Sequence, residues 1–325
     1  MLQTQSKVRV QGRLSNAFNI RQGLKQGDAL SCTLFILALE GVMRKLPASR
    51  GGTIFNRTTQ NLAFADDIAM LATNTRFLEE NLQLLGKEAA RLGLLINKDK
   101  TKYMITSRNN TRWRNVTQFE GYERVTHFKY LGEVMTERNE VQMEIKGRLA
   151  AGNRCYFSFQ ELLRSSLVTR HLKLLVYKTI IKPVVMYGSE TWTLTKRDED
   201  RLCTWERKVL RKIYGAVNTN GQWRIRTNAE LAQLYDSPNI LADIKARRIR
   251  WLGHVHRMNE HRVPKKVLQA KPMGNRSVGR PRLRWLDDVE ADLRKIGVRN
   301  WKRLAESREE WRTQAVGKAL ALNGL

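Results

Sequence analysis

Two adjacent carboxylates, Asp66 and Asp67, are the side chains of this sequence best suited to chemistry. Short apolar segments flank the pair on both sides, which predicts two strands joined by a turn that carries the acids. Carboxylate oxygens bind Mg²⁺, and phosphoryl transfer with a pair of metal ions needs several such oxygens within a few ångströms of one another. The alternative is a solvated turn without a ligand, because Asp is common in turns.

Three further segments accompany the pair in a specific order. Gln26, Gly27 and Asp28 end a polar loop, and Asp28 can cap the helix that follows. A lysine-rich turn lies at 97–102 between two predicted strands, 94–97 and 102–106, and an apolar segment at 128–135 predicts a strand or hairpin. Each motif alone is weak to moderate evidence, so their order along the chain is the informative signal.

This series of motifs, at 26–28, 64–67, 97–102 and 128–132, resembles the palm of a reverse transcriptase of the non-LTR (LINE-like) retrotransposon type. The resemblance runs over roughly residues 7 to 135. It implies an RNA-directed DNA polymerase, a nucleotidyltransferase that uses Mg²⁺ or Mn²⁺ and binds an RNA template, a DNA primer and deoxynucleotides. Three later segments resemble the C-terminal extension of such element proteins: 181–192, 250–255 and 279–288.

The resemblance assigns roles to the acidic pair and to the loop before the first helix. Asp66 matches the family's metal-ligating aspartate, and Asp67 matches its weaker companion, so both are candidate catalytic and metal-binding residues. Gln26 and Gly27 match the loop that contacts the incoming nucleotide and the template.

The remaining roles fall on the lysine turn and on the segment after it. Lys100 is the candidate catalytic cation near the leaving pyrophosphate, with Lys102 as second choice. Tyr130, Leu131 and Gly132 match the strand that grips the primer end. Simpler interpretations stay open: a solvated turn for the lysines, and core packing for Tyr130 and Leu131.

The family places another metal-binding aspartate on a strand upstream of the Gln-Gly loop, whereas the first acidic residue here is Asp28. We therefore expect a truncated polymerase that is inactive on its own, unless a longer reading frame supplies the missing carboxylate. Two alternatives are a non-catalytic nucleic-acid-binding protein and the product of a degenerate element.

The expected fold class is α+β. A hairpin around Gly12 begins the chain. One face of the helix after Asp28 is formed by Leu30, Leu34, Leu37 or Ala38, and Gly41, and a second helix is predicted by the helical spacing of Leu78, Leu82, Leu85, Ala89 and Leu92. We expect a partial right-hand palm with an antiparallel sheet and packed helices, followed by a mostly helical thumb-like and C-terminal region. The predicted domains are a palm with its primer-grip-like strand, a helical thumb-like region and a basic helical extension: 1–138, 139–245 and 246–325.

The charge of the chain indicates a polyanionic partner. Lys and Arg number 59 against 31 Asp and Glu, which gives a net charge of +28 over 325 residues. No apolar run reaches the roughly 18 to 20 residues that cross a bilayer, and three scattered cysteines indicate a reducing compartment. We expect a soluble intracellular protein that does not enter membranes, in the nucleus or the cytoplasm.

The basic C-terminal half raises three smaller questions. Its tryptophans could stack on unpaired bases, although hydrophobic core is the simpler interpretation for each. The basic segment at 279–282 is either an exposed loop or a peptide for an A/T-rich minor groove. Asp287 and Asp288 are expected on the solvated face of an amphipathic helix.

Overall fold

A computed structural model describes most of the chain in two compact units, Met1–Thr101 and Lys102–Leu325. The predicted three-domain division stays a prediction. The described residues are 4–20, 27–46, 61–72, 74–106, 118–270 and 284–321.

The first unit combines short antiparallel strand pairs with two helices. Its strands are β1 Thr4–Ser6, β2 Arg9–Val10, β3 Arg13–Leu14, β4 Phe18–Ile20, β5 Asn61–Phe64 and β6 Asp67–Met70. Its helices are α1 Ser31–Met43 and α2 Thr75–Arg91. The strand pairs are β1 with β4, β2 with β3, and β5 with β6.

The hairpin expected around Gly12 is confirmed. The turn between β2 and β3 is formed by Gln11 and Gly12, whose φ angles are +48° and +83°. Two positive φ angles in succession match the right-handed twist of the flanking strands, and glycine adopts such an angle without steric cost.

A small core joins α1, α2 and the β5–β6 hairpin. Its buried residues are Val42, Leu46 and Leu85. The buried Glu88 of α2 accepts hydrogen bonds from Lys45 at 2.9 Å and from Arg91 at 2.6 Å. The Lys45 hydrogen bond, with that of Arg91 and both positive charges, lowers the pKa of Glu88, so the carboxylate stays ionised and ties α2 to the end of α1.

The apolar face predicted for α1 is not the face that the helix buries. Leu30, Leu34 and Leu37 are exposed, whereas Leu39 and Val42 are buried. Because α1 carries apolar residues around most of its circumference, periodicity alone could not choose between the two faces.

The second unit begins with short strands and continues as a mostly helical body. The strands are β7 Lys102–Tyr103, β8 Gln118–Phe119, β9 Tyr122–Arg124, β10 His127–Tyr130, β11 Glu133–Thr136, β12 Val217–Thr219 and β13 Gln222–Arg224. The helices are α3 Val141–Ser158, α4 Gln160–Arg164, α5 Arg170–Val176, α6 Lys182–Met186, α7 Lys196–Tyr214, α8 Asn228–Tyr235, α9 Ile240–His256, α10 Val263–Gln269, α11 Trp285–Lys295, α12 Trp301–Glu306, α13 Arg308–Glu310 and α14 Lys318–Ala321. Short π-helical or 3₁₀ segments interrupt this series at Tyr177–Ile181, Ser189–Thr191 and Trp311–Gly317.

These elements confirm a mixture of helices and small sheets, and they correct two strand predictions. Residues 94–97 are not a strand, and the strand expected at 102–106 is limited to Lys102–Tyr103. The hairpin expected at 128–135 is present as β10 and β11. No helix within the described ranges is long and apolar enough to cross a membrane.

The long helix α9 connects two hydrophobic cores in the second unit. Its first half packs with α3, α6, α7 and α8 around Ile145, Leu202 and Ile244. Its second half packs with α11 and α12 around Ile249, Leu252 and other buried residues. The core interpretation is confirmed for four tryptophans: Trp192, Trp205, Trp301 and Trp311. In contrast, Trp223 on β13 is 73% exposed.

The expected solvated position of Asp288 on α11 is wrong. Its carboxylate accepts a hydrogen bond from the fully buried Arg248 of α9 at 2.6 Å, and Arg248 also reaches Asp292 at 3.3 Å. Buried charges require partners, and the arginine supplies one that lies far away in the sequence. The basic segment at 279–282 lies outside the described residues.

Candidate functional site

The paired aspartates lie at the crest of the β5–β6 hairpin, as the sequence predicts. Ala65 and Asp66 form the turn, Ala65 has a φ of +52°, and Phe64 pairs with Asp67 in the strand register. Both aspartates are exposed. The residues on the two sides of the turn differ in burial: Phe64 is 66% exposed, whereas Ile68 is half-buried. The hairpin therefore presents two carboxylates to solvent and is anchored through β6.

The start of α1 is built around Asp28. The Asp28 carboxylate accepts the N–H of Leu30 at 2.8 Å, and the Ser31 hydroxyl donates to the Asp28 carbonyl oxygen at 2.7 Å. Gly27, just before it, has a φ of +87°, a conformation that favours glycine. Gln26, the other predicted contact of the nucleotide, lies outside the described residues.

The lysine turn is closed by Asn97. The Asn97 side-chain oxygen accepts the Lys100 N–H at 3.1 Å, and the Asn97 carbonyl oxygen accepts the Thr101 N–H at 3.0 Å. Lys100 itself is exposed. The predicted turn is thus present, with the Lys100 side chain on its solvent side.

The β5–β6 hairpin and the lysine turn pack against one core. Ile68 and Ile96 both contact the cluster formed by Val42, Leu46 and Leu85. Because each residue spans at most about 3.6 Å of chain, the Cα of Asp66 lies within about 7 Å of that of Ile68, and the Cα of Lys100 within about 14 Å of that of Ile96. This core positions the acidic pair and the candidate cation in the same unit.

The third predicted segment, in the second unit, is the turn of the β10–β11 hairpin. Leu131 and Gly132 form this turn with φ angles of +47° and +88°. Leu131 is 40% exposed, so it is not a core residue, whereas Tyr130 is half-buried. The Tyr187 hydroxyl donates to the Leu131 carbonyl oxygen at 2.9 Å, and Arg148 donates to the Gly132 carbonyl oxygen.

Sequence reasoning missed the side chains that fix this turn. Arg148 of α3 packs over the Tyr187 ring at 4.5 Å and forms an ion pair with the buried Glu144. Glu144 also accepts the N–H of Val134 on β11, at 2.7 Å. These residues follow the hairpin on later elements, and no local motif marks them. Only the fold brings them to the turn.

The donor set at Asp66 and Asp67 fits one divalent ion in part. Among the residues that the structure describes, no group of three or more His, Cys, Asp or Glu side chains is arranged to hold a metal. Mg²⁺ commonly takes only one or two protein carboxylates and completes its octahedron with water and substrate phosphates. Two exposed carboxylates on one turn satisfy that minimum.

Comparison with known proteins shows what the N-terminal part of this chain is similar to. Residues 1–135, which contain both the acidic hairpin and the β10–β11 turn, match the family model described as reverse transcriptase (RNA-dependent DNA polymerase). These residues are thus similar to reverse transcriptases, and relatives of the chain include Pol polyproteins of retrotransposable elements.

The relatives come from transposable elements. A transposon-derived protein of Caenorhabditis elegans is 25% identical over 264 residues, which cover 78% of this chain and 94% of that protein. The Pol polyprotein of retrotransposable element R2DM of Drosophila melanogaster is 36% identical over 89 residues, 27% of this chain and 8% of its own length. The R2 Pol polyprotein of Bradysia coprophila is 30% identical over 179 residues, which cover 49% of this chain and 20% of that protein. The chain thus spans a small part of the two Pol polyproteins.

Proposed function

We propose that this chain is part of an RNA-directed DNA polymerase whose metal ligand is Asp66. Asp67 assists as a second carboxylate, and Mg²⁺ or Mn²⁺ is the cofactor. The observation that carries the proposal is the exposed acidic hairpin, which lies within the residues that match the family model and packs on the same core as α1 and the residues before the lysine turn. The substrates are deoxynucleotides, with an RNA template and a DNA primer.

The other predicted residues have compatible positions within their own units. A bound Mg²⁺ would neutralise phosphate charge beside Asp66. Lys100 supplies an exposed cation for the departing pyrophosphate. Gly27 has no side chain to obstruct a nucleotide near α1, and Gln26 is proposed to act beside it. In the second unit, the turn formed by Leu131 and Gly132 after Tyr130 is proposed to contact the primer.

The proposed metal site needs oxygens beyond those of the hairpin. Residues 1–27 contain no Asp or Glu, so the upstream aspartate of the family has no counterpart among them. An ion at Asp66 and Asp67 is therefore completed by water, by nucleotide phosphates or by a carboxylate from elsewhere. We propose that the chain alone turns over slowly or not at all.

The second candidate function is binding of nucleic acid without chemistry. The net charge of +28 supports this function independently of the acidic hairpin. Binding of this kind would leave the aspartates without effect on any activity.

Primer extension on an RNA template distinguishes the two functions. The chain and Asp66→Asn are compared at protein excess with Mg²⁺ or Mn²⁺, and Asp200→Asn, an exposed acid on α7, is the matched control. Loss of a ligand from a preorganised site lowers rates by roughly 100-fold or more, so any product of the wild-type chain should be lost in Asp66→Asn and kept in Asp200→Asn. Equal measurable extension by wild type and Asp66→Asn would contradict the proposal. If neither protein extends the primer, the two functions are distinguished by comparing the Mn²⁺ affinity of the wild-type chain with that of Asp66→Asn.

A further inference from the structure

A basic pocket lies on the second unit. It is formed between α9 and the segments before and within α6, and it has a volume of about 200 Å³. Four of its lining side chains are cationic and one is acidic: Lys178, Lys182, Arg247, Arg250 and Asp243. Since a water molecule occupies about 30 Å³, the pocket has room for a phosphate group.

The acid in this pocket is already committed to the buried lysine. Lys182 is within 2.5 Å of Asp243 and 3.3 Å of the buried Glu206. Burial by itself would lower the pKa of Lys182, but Glu206, Tyr235 and Asp243 outweigh it and raise that pKa above its ordinary value. Lys182 and its two carboxylates therefore form a floor with a net charge of −1, which the three other cations of the pocket outweigh.

The other three cations are not neutralised by that floor. The Lys178 ammonium donates to the Ser237 hydroxyl at 2.8 Å, which leaves its charge uncompensated. Arg247 and Arg250 have no ion-pair partner among the residues for which the structure gives positions. Arginine and lysine so arranged suit the oxygens of a phosphate, because their N–H groups donate to an anion that balances their charge.

Two aromatic rings continue the same face of α9. Trp251 follows Arg247 by one helical turn, and His254 follows Arg250 in the same way. The two rings lie 5.4 Å apart between centroids, and His254 is exposed. A cationic pocket next to aromatic rings is the combination that binds the backbone and the unstacked bases of a single strand.

We propose that this face of α9 binds single-stranded nucleic acid, with a backbone phosphate held by Lys178, Arg247 and Arg250 and a base stacked on Trp251 and His254. The site goes beyond the proposed polymerase chemistry, since it requires neither Asp66 nor a metal ion. It assigns a binding role to the second unit.

The test is fluorescence anisotropy with a labelled 15-nucleotide oligo(dT) and the full chain, without divalent metal, across a series of salt concentrations. The pocket variant is Arg247→Gln/Arg250→Gln. The matched control is Arg299→Gln/Arg303→Gln, which removes the same charge from exposed positions elsewhere in this unit. Circular dichroism melting establishes that each variant is folded.

We expect the pocket variant to bind about tenfold or more weakly at 100 mM salt, with a log–log salt slope smaller by about 0.7, since each neutralised phosphate on a single strand contributes about 0.7. The control should lose less affinity and keep most of its slope. Equal effects of the two double variants would overturn the phosphate pocket and leave only a diffuse positive surface. Unchanged binding by both would overturn it as well.

A second variant tests the stacking half of the proposal. Trp251→Leu keeps an apolar side chain, and it should weaken binding about fivefold or more without a change in salt slope. Unchanged affinity, or duplex binding as tight as single-strand binding in the wild-type chain, would overturn recognition of a single strand. Because no extension is measured, these outcomes are independent of the polymerase proposal.

Discussion

Gly253 of α9 lies where an added methyl group has no space. A Cβ at this position would lie 2.2 Å from Nε1 and 2.5 Å from Cδ1 of Trp311. The Trp311 ring is only 2% exposed, and its Nε1 donates to the Ile249 carbonyl oxygen at 3.0 Å. Since carbon atoms pack at about 3.5 to 4.0 Å, Gly253→Ala must displace the ring by more than about 1 Å in a close-packed core.

The expected change in the free energy of unfolding combines two destabilising effects and one stabilising effect. Overpacking costs about 1–3 kcal/mol, a buried indole N–H without its acceptor costs about 1–3 kcal/mol, and alanine regains about 1 kcal/mol of helix propensity. We therefore expect the free energy of unfolding to fall by about 3 kcal/mol, which lowers the melting temperature by roughly 6–12 °C for a unit of this size. Urea denaturation measures the free energy of unfolding and thermal denaturation measures the melting temperature, both followed by circular dichroism.

The same substitution at Gly147 is the matched control. Gly147 is exposed on α3, and a Cβ there meets nothing within 4 Å. Gly147→Ala should therefore stabilise the chain by about 0.5–1 kcal/mol through helix propensity alone. A Gly253→Ala chain that is as stable as wild type, or that shifts in the same direction as Gly147→Ala, would refute the close packing of α9 against Trp311.

Three further predictions concern single interactions of the second unit. The Arg224 hydrogen bonds and the start of α8 lower the pKa of Glu230 from 4.5 to about 2, so this carboxylate stabilises the fold fully above pH 4.5 and progressively less as the pH falls towards 2. An NMR titration of the Glu230 carboxyl should give a midpoint near pH 2 in the wild-type chain and a higher midpoint in Arg224→Gln. Arg248→Met should lower the free energy of unfolding by about 3 kcal/mol, because it removes the arginine partner of the half-buried Asp288 and one of the two cations that pair with the buried Asp292. Tyr187→Phe should cost about 1 kcal/mol through the lost hydrogen bond to the Leu131 carbonyl oxygen.

These predictions have direct controls. Arg312→Met removes a charge from an exposed position and should change stability by less than about 0.5 kcal/mol. An Arg248→Met chain as stable as Arg312→Met would contradict the buried ion pairs of α9 and α11. A Glu230 midpoint near 4.5 would contradict its pairing with Arg224, and unchanged stability of Tyr187→Phe would contradict the anchored turn.

Local patterns in the sequence predicted the elements that carry the site. Gly12 and the acidic pair at Asp66 and Asp67 each indicated a hairpin that the structure contains. Both signals are short-range, because a few residues between apolar strands fix the turn. The helical period of Leu78, Leu85 and Ala89 likewise predicted α2.

Packing between distant segments could not be predicted in the same way. The exposed Leu37 and the buried Leu39 of α1 are both apolar, and only their neighbours in the fold distinguish them. Asp288 has the sequence context of a solvated helix face, yet its partner Arg248 reaches it from α9. These contacts depend on tertiary structure, which composition and periodicity do not encode locally.

The most direct measurement of the central claim is the Mn²⁺ affinity of the chain, determined by titration with electron paramagnetic resonance detection of free Mn²⁺. We expect a Mn²⁺ site whose affinity falls by at least about tenfold in Asp66→Asn, since even the loss of a residue that hydrogen-bonds to a metal ligand changes affinity by about 10–100-fold. Asp200→Asn should bind as the wild-type chain does. Identical Mn²⁺ affinity in the wild-type chain and in Asp66→Asn would contradict the assignment of Asp66 as the metal ligand.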